Sequence, residues 1–365
     1  MEAWAKVAIS PEFIGTLHGG IPCTDCHGGV DGVTDMAAAH AGVVTDPDPD
    51  AACASCHSEE TEHHVGSLHA TLGGYTEALA ARSTEEAWPA IMTAYDNHCA
   101  SCHASCGQCH VSRPTSTGGG LLEGHTFKAT PPMNLTCTGC HGSRVNDEYK
   151  GNNEMADGGT YPADVHYNPG GMACGDCHSA SEMHGAIEGD PANRYDGDPL
   201  PDCEDCHEGV GGGEDENPQH SEGHLEDLAC QVCHSVDYKQ CYSCHVQTSE
   251  DGVPFFRTEE SEMAFAIGYN PIRSDERPWK YVVLRHVPID RESFAFYGDD
   301  LLSNFDALPT WVYATPHNIQ RHTPQNESCL SCHGSDEYFL TEDRVLPGEL
   351  EANRDVIVPG APPFP

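Results

Sequence analysis

Loops and short α-helices with little β-structure, wrapped around something other than a conventional apolar core, form the fold that this sequence predicts. Three observations carry that expectation. The 365 residues include 37 Gly and 26 Pro, which punctuate a chain rather than extend its elements. Aromatic residues make up only 7%, and long periodic apolar runs are scarce. All 20 cysteines fall into ten Cys-x-x-Cys-His units, with none left over.

In chain order, as sites 1 to 10, the units are Cys23, Cys26 and His27; Cys53, Cys56 and His57; Cys99, Cys102 and His103; Cys106, Cys109 and His110; and Cys137, Cys140 and His141. The second half of the chain adds Cys174, Cys177 and His178; Cys203, Cys206 and His207; Cys230, Cys233 and His234; Cys241, Cys244 and His245; and Cys329, Cys332 and His333. Zinc knuckles, redox dithiols and covalent haem c all use Cys-x-x-Cys. Only haem c requires a histidine directly after the second cysteine: its vinyl groups become thioethers, and the next imidazole turns onto the iron. With 24 His in the chain, ten such placements by chance have a probability on the order of 10⁻¹². A disulfide framework would leave the histidines unexplained. Ten covalent haems among 365 residues leave little chain for independent cores. The expected architecture is therefore a haem-packed multihaem cytochrome c in which the haems form the core.

Fourteen histidines lie outside the motifs: His18, His40, His63, His64, His69, His98, His125, His166, His184, His220, His224, His286, His317 and His322. That suffices for ten distal ligands with four to spare, which makes bis-histidine, low-spin iron the expected state at every site. Such iron passes electrons without offering a place for substrate. Met172 and Met183 lie near a motif, where packing accounts for them as well as ligation does. His125, in GLLEGHTF, sits between Gly124 and Thr126 in a loop able to carry an imidazole onto a haem face.

Charge narrows the partners. The 58 acidic residues against 17 basic ones give −41, which excludes nucleic acid and anionic membrane surfaces as partners. Redox partner proteins of basic character, cationic shuttles and extracellular electron acceptors such as metal oxides fit better, although a solvated acidic surface explains the charge equally. The clusters Asp46-Pro-Asp48-Pro-Asp50 and Asp196-Gly-Asp198 could hold Ca²⁺ through oxygen ligands, or simply face water. No stretch is apolar and long enough to span a membrane. Because haem c is attached outside the cytoplasm, the expected location is extracellular, or alternatively periplasmic. Every cysteine is accounted for by haem, so no lipid anchor and no membrane span are expected.

Motif spacing suggests three spans: a nine-haem core over 1–245, a haem-free interval over 246–328, and the tenth site with a Pro-rich tail over 329–365. The tightest joins, His103 to Cys106 and His234 to Cys241, predict close haem neighbours. The haem-free interval concentrates aromatics, among them Phe255, Phe256, Phe294, Phe305 and Trp311, and reads as a small subdomain or an arm. Within it KYVVLRHV, Lys280 to Val287, has the β-branched character of a strand.

Longer strings carry a family likeness. CGQCHVSRP, GGGLLEGHTF, CTGCHGSRVNDEY, ADVHYNPGGMACGDCHSASEMHG and ATPHNIQRHTPQNESCLSCHG, from Cys106 to Gly334, resemble exported multihaem cytochromes c of the octahaem tetrathionate reductase and hydroxylamine oxidoreductase group. That resemblance implies His125, His166, His184, His224, His286 and His317 as distal ligands, and His18, His40, His69 and His220 complete a set of ten. The enzymes of the group have a special haem with a lysine ligand or an open face, whereas all ten motifs here end in histidine, and fold kinship alone transfers no activity.

Three functions remain open on the sequence: an extracellular electron conduit resembling filamentous nanowire cytochromes and built as a homo-polymer; a multihaem oxidoreductase acting on a small nitrogen or sulfur compound at one open haem; and a periplasmic decahaem subunit of a porin–cytochrome conduit. The histidine surplus favours the conduit. The stiff tail VIVPGAPPFP, Val356 to Pro365, is expected to lie along a neighbouring copy and join subunits head to tail.

Overall fold

Backbone conformation follows the cysteine motifs closely, because residues three apart on one helical turn share a face, as the two thiols of a Cys-x-x-Cys unit must. The computed structural model describes residues 8–364 except 103, 115–116, 213–214 and 216. Helical turns cover Cys23–His27, Cys106–His110, Cys137–Cys140, Cys230–His234 and Cys329–His333, and tighter 3₁₀ turns cover Ala100–Cys102 and Cys174–Asp176. Ser105 caps the site 4 helix in a reciprocal box with Gln108. Gly28, at φ +68°, ends the site 1 helix and returns its N–H to the Thr24 carbonyl. The longest helix, Trp88–His98, has only 11 residues. The protein is thus mostly loops and short helices with little β-structure, as the composition predicts.

The sheets are small. Strands β1 (Glu188–Gly189) and β2 (Gly197–Asp198) form a minimal antiparallel pair. Strands β3 (Tyr238–Thr248) and β4 (Pro254–Ala264) form a hairpin closed at Gly252, with Tyr238 opposite Ala264 and Thr248 opposite Pro254. Strands β5 (Ile267–Tyr269), β6 (Tyr281–His286) and β7 (Trp311–Tyr313) form an antiparallel sheet in that order. The strand expected over Lys280–Val287 is β6. Site 9 lies inside β3, where successive side chains should alternate between faces. Ser243, at φ +49°, breaks that alternation between Cys241 and Cys244.

Two compact units, each discontinuous in sequence, make up the chain: residues 1–76, 99–141 and 173–201 form the first, and 77–98, 142–172 and 202–365 the second. The interval 246–328 lies wholly in the second unit. This unit has an ordinary core, with Ile267, Val282, Leu284, Leu340 and Val356 fully buried and a second cluster around Ile91, Phe294, Leu302 and Phe305. Most of the interval's aromatics serve here, although Phe255, Phe256 and Phe296 stay exposed. In the first unit, among the described residues, the buried apolar side chains are only Phe13, Val111 and Pro114. Apolar groups that usually hide there, such as Leu17 at 86% exposure and Met36 at 75%, are uncovered.

No described helix is long and apolar enough to cross a membrane. The tail residues described pack on the chain's own second unit. Val356 and Val358 are buried, the Ala361 N–H donates to Asp336, and the Pro363 carbonyl lies 3.1 Å from His333 Nδ1, all within the second unit. The burial of Val356 and Val358, two residues apart, supplies the apolar surface that anchors this segment.

Candidate cofactor sites: paired histidines and converging thiols

Among the described residues, seven Cys-x-x-Cys-His units place their histidine where another segment brings a second histidine to it. The ring centres are separated by 5.8 Å for His27 and His125, 6.2 Å for His57 and His18, and 6.1 Å for His110 and His184. His141 and His69 stand 6.1 Å apart, His207 and His166 6.1 Å, His234 and His220 6.2 Å, and His333 and His224 6.0 Å. Every pair joins one motif histidine to one histidine from outside the motifs.

The spacing has chemical content. Two imidazoles bound trans to one metal through bonds of about 2 Å hold their ring centres about 6.2 Å apart, whereas a tetrahedral angle would bring them to about 5.1 Å. The seven separations, from 5.8 to 6.2 Å, all lie nearer the trans value than the tetrahedral one. Among the described residues no group of three or more His, Cys, Asp or Glu is arranged to hold a bare ion. A pair suits a metal whose remaining ligands come from a macrocycle.

Proton positions agree with that use. The Nδ1 atoms of His27, His110, His224, His234 and His333 lie 2.8, 2.6, 2.9, 3.0 and 3.1 Å from the carbonyls of Val44, Lys128, Gln219, Gln320 and Pro363. A carbonyl only accepts, so Nδ1 carries the hydrogen and Nε2 presents its lone pair. Burial, and then the nearby partner His141, lowers the His69 pKa to about 4. Burial first and a neighbouring imidazole second likewise lower His18, His125, His141 and His184. Neutral imidazoles are the form that binds metal.

Local backbone explains how some of these rings arrive. His125 has φ +73°, uncommon for a residue with a side chain, and follows Gly124 at φ +51°. A Cβ on Gly124 would stand 2.5 Å from the Ser10 side chain, so the loop closes only over glycine. Phe13 then meets the His125 ring edge-on at 4.5 Å. One short segment supplies two sites, because His220 and His224 face sites 8 and 10 respectively.

Thiols from distant motifs also meet. Cys53 hydrogen-bonds with Cys106, Cys137 with Cys174, and Cys203 with Cys230, joining sites 2 and 4, 5 and 6, and 7 and 8. Cys26 feels the charges of Cys23 and Cys56, Cys109 those of Cys137, Cys106 and Cys140, and Cys233 that of Cys332. Burial raises the Cys109 thiol to about 11 and the Cys233 thiol to about 12. The first unit therefore carries sites 1, 2, 4, 5 and 6 as a succession of neighbours, and the second carries 7, 8 and 10.

The remaining expected residues stand differently. His103 lies outside the described residues. His178 Nδ1 is 3.0 Å from both oxygens of Glu182. His245 Nδ1 is 3.1 Å from the Glu292 carbonyl, beside a cavity of about 350 Å³ lined by Arg257 and Phe296 among others. His40 is exposed, with Nδ1 2.7 Å from the Met36 carbonyl, and the His317 N–H donates to Glu148. His286 stands outside the seven pairs. It is 2% exposed, its Nε2 lies 2.9 Å from Glu349 and its Nδ1 3.4 Å from the Cys241 carbonyl, so a carboxylate rather than a motif histidine faces it. Glu349 also accepts from Thr310, and Tyr242 covers the His286 ring at 4.4 Å.

Sequence reasoning missed the carboxylates that hold histidines: Asp164, Glu182, Asp215 and Glu349. Two of them stood within reach of inspection, since Asp164 lies two residues before His166 and Glu182 four residues after His178. Comparison with known proteins adds no relative, for no family model, curated protein or solved structure matches the chain.

Proposed function

We propose that the protein is a decahaem c-type cytochrome that carries electrons over distance through closely spaced, bis-histidine, low-spin haems attached at the ten motifs. The seven trans-spaced pairs of one motif and one distant histidine are the observation that carries this reading. The cysteines would hold each macrocycle by thioether bonds, and the paired imidazoles would supply the axial ligands. When bound, haem contributes a one-electron couple at iron. The chain contributes orientation, neutral ligands, and contact between neighbouring attachment points. The thin apolar core of the first unit supports the same reading, since large flat macrocycles would bury side chains such as Leu17 and Phe127 that now face outward. The converging thiols support conduction, because attachment points in contact bring the edges of adjacent groups together. Export follows from the chemistry of haem c, and extracellular acceptors suit the acidic surface.

Intact-mass spectrometry of the protein from an export-competent host should show ten haem additions. Electron paramagnetic resonance of the oxidised protein should show low-spin ferric iron throughout. Fewer additions would overturn the stoichiometry. A substantial high-spin signal would overturn bis-histidine ligation and turn attention to catalysis at an open iron.

A further inference from the structure

The acceptors behind the histidines fall into two chemical kinds. Backbone carbonyls stand behind His27, His110, His224, His234, His245 and His333. At Nδ1, carboxylates stand behind three others. Asp215 Oδ2 lies 2.6 Å from His220 Nδ1, Asp164 Oδ1 lies 3.0 Å from His166 Nδ1, and both oxygens of Glu182 lie 3.0 Å from His178 Nδ1.

These three are held in place rather than loosely exposed. Asp164 has 2% of its side chain accessible and accepts the backbone N–H groups of His166 at 2.7 Å and Ile319 at 2.6 Å. Asp215 accepts the N–H groups of Gly211 and Asn217 at 2.9 and 3.0 Å, with 17% of its side chain accessible. Glu182 is 15% accessible and lies on the helix Ala180–His184, whose last residue faces His110 of site 4. Acceptance on this scale is what an ionised carboxylate does, since it has no hydrogen to donate.

We infer that Asp215, Asp164 and Glu182 tune the reduction potentials of sites 8, 7 and 6, making these three the low-potential members of the chain; the inference rests on the haem reading. An imidazole whose Nδ1–H leans toward a carboxylate gains electron density at Nε2 and becomes a stronger donor. Stronger donation favours ferric over ferrous iron, and so lowers the potential. Carbonyl acceptors do this less, because they carry only a partial charge. Sites 7 and 8 are joined through Cys203 and Cys230, so the effect falls on two neighbouring sites. Site 10, with carbonyls behind both His224 and His333, lies next to site 8 through Cys332 and Cys233. An electron entering the second unit would rest at site 10 before sites 7 and 8.

The test is spectroelectrochemical titration of the haem-loaded Asp215→Asn variant, with Asp202→Asn as control. Asp202 is close enough to act on Cys230, and its side chain accepts the Glu204 N–H instead of bonding to any of the three histidines, so it reports loss of a nearby charge without loss of a histidine bond. Asp215→Asn should move one component of the titration upward by more than Asp202→Asn does, with the spectrum still fully low-spin. Asp215→Glu should restore most of the original value, and Glu182→Gln should shift a different component upward. Equal shifts in the two Asn variants would overturn the inference. So would a shift accompanied by high-spin iron, which would show that Asp215 merely keeps His220 in position. Ten haems found by mass with unmoved potentials would refute this inference alone, whereas missing haems would refute the reading beneath it.

Discussion

Replacing His125 by glycine isolates one ligand from the fold that carries it. The loop there runs through the left-handed region, with φ +73° at His125, which costs a residue bearing a side chain about 1–2 kcal/mol. Glycine removes that cost, and its greater freedom in the unfolded chain returns roughly 0.4–1 kcal/mol. The edge contact with Phe13 at 4.5 Å is lost, worth about 0.5–1.5 kcal/mol. These terms largely offset one another, so His125→Gly should fold with stability changed by no more than about 1.5 kcal/mol. Its iron, left with His27 alone, should become high-spin. With ten sites in the chain, the high-spin share should integrate to about one tenth of total ferric iron. Added imidazole should restore the low-spin spectrum, because the site stays open and intact. Paramagnetic resonance with haem quantitation is the assay. A fully low-spin spectrum with ten haems still present would refute the pairing of His27 with His125.

Glu349→Ala strips buried His286 and Thr310 of their acceptor and should destabilise the protein by about 2–4 kcal/mol, measured by denaturant unfolding, while all haems stay low-spin. Burial alone would raise the Glu349 carboxyl, but the His286 and Thr310 hydrogen bonds outweigh it and hold the group below its ordinary 4.5. Its contribution to stability should be complete above that value and vanish as pH falls through the lower folded one, a loss absent from Glu349→Gln. Ring planes 11° apart in His18 and His57, against 82° in His69 and His141, should give two distinct low-spin resonance signatures, removed separately by His18→Ala and His69→Ala. Deleting residues 361–365 should alter the potential of one haem by taking the carbonyl from His333 Nδ1, and leave the sedimentation coefficient of the native protein unchanged.

What the sequence revealed and what it concealed divide along a physical line. Covalent attachment needs contiguous residues, so all ten motifs are plain in the chain. The histidines that face the motif histidines come from other segments, and nothing local says that His18 will face His57 while His27 faces His125. The seven paired histidines all lie within the ten named from the sequence, but His286 does not face a motif histidine. It sits on β6, whose residues Val282 to His286 are all buried, and there a histidine needs a carboxylate more than it needs a metal. Spacing along the chain also could not show that thiol contacts join site 4 to site 2 across 53 residues. Proline content drew attention to the stiffness of the tail and hid the two valines, Val356 and Val358, that bury on the second unit.

The first unit, with Phe13, Val111 and Pro114 as its buried apolar side chains, has consequences for how such a protein is made. A segment of this size cannot hold itself together on so little buried surface. On the proposed reading its prosthetic groups are installed on an unfolded chain, which also explains how one short motif can end as a helix at site 1 and a strand at site 9. Maturation then inspects itself. On that reading, a molecule that has missed an attachment in this half would stay open to proteases, and the fully furnished form would be the one that survives.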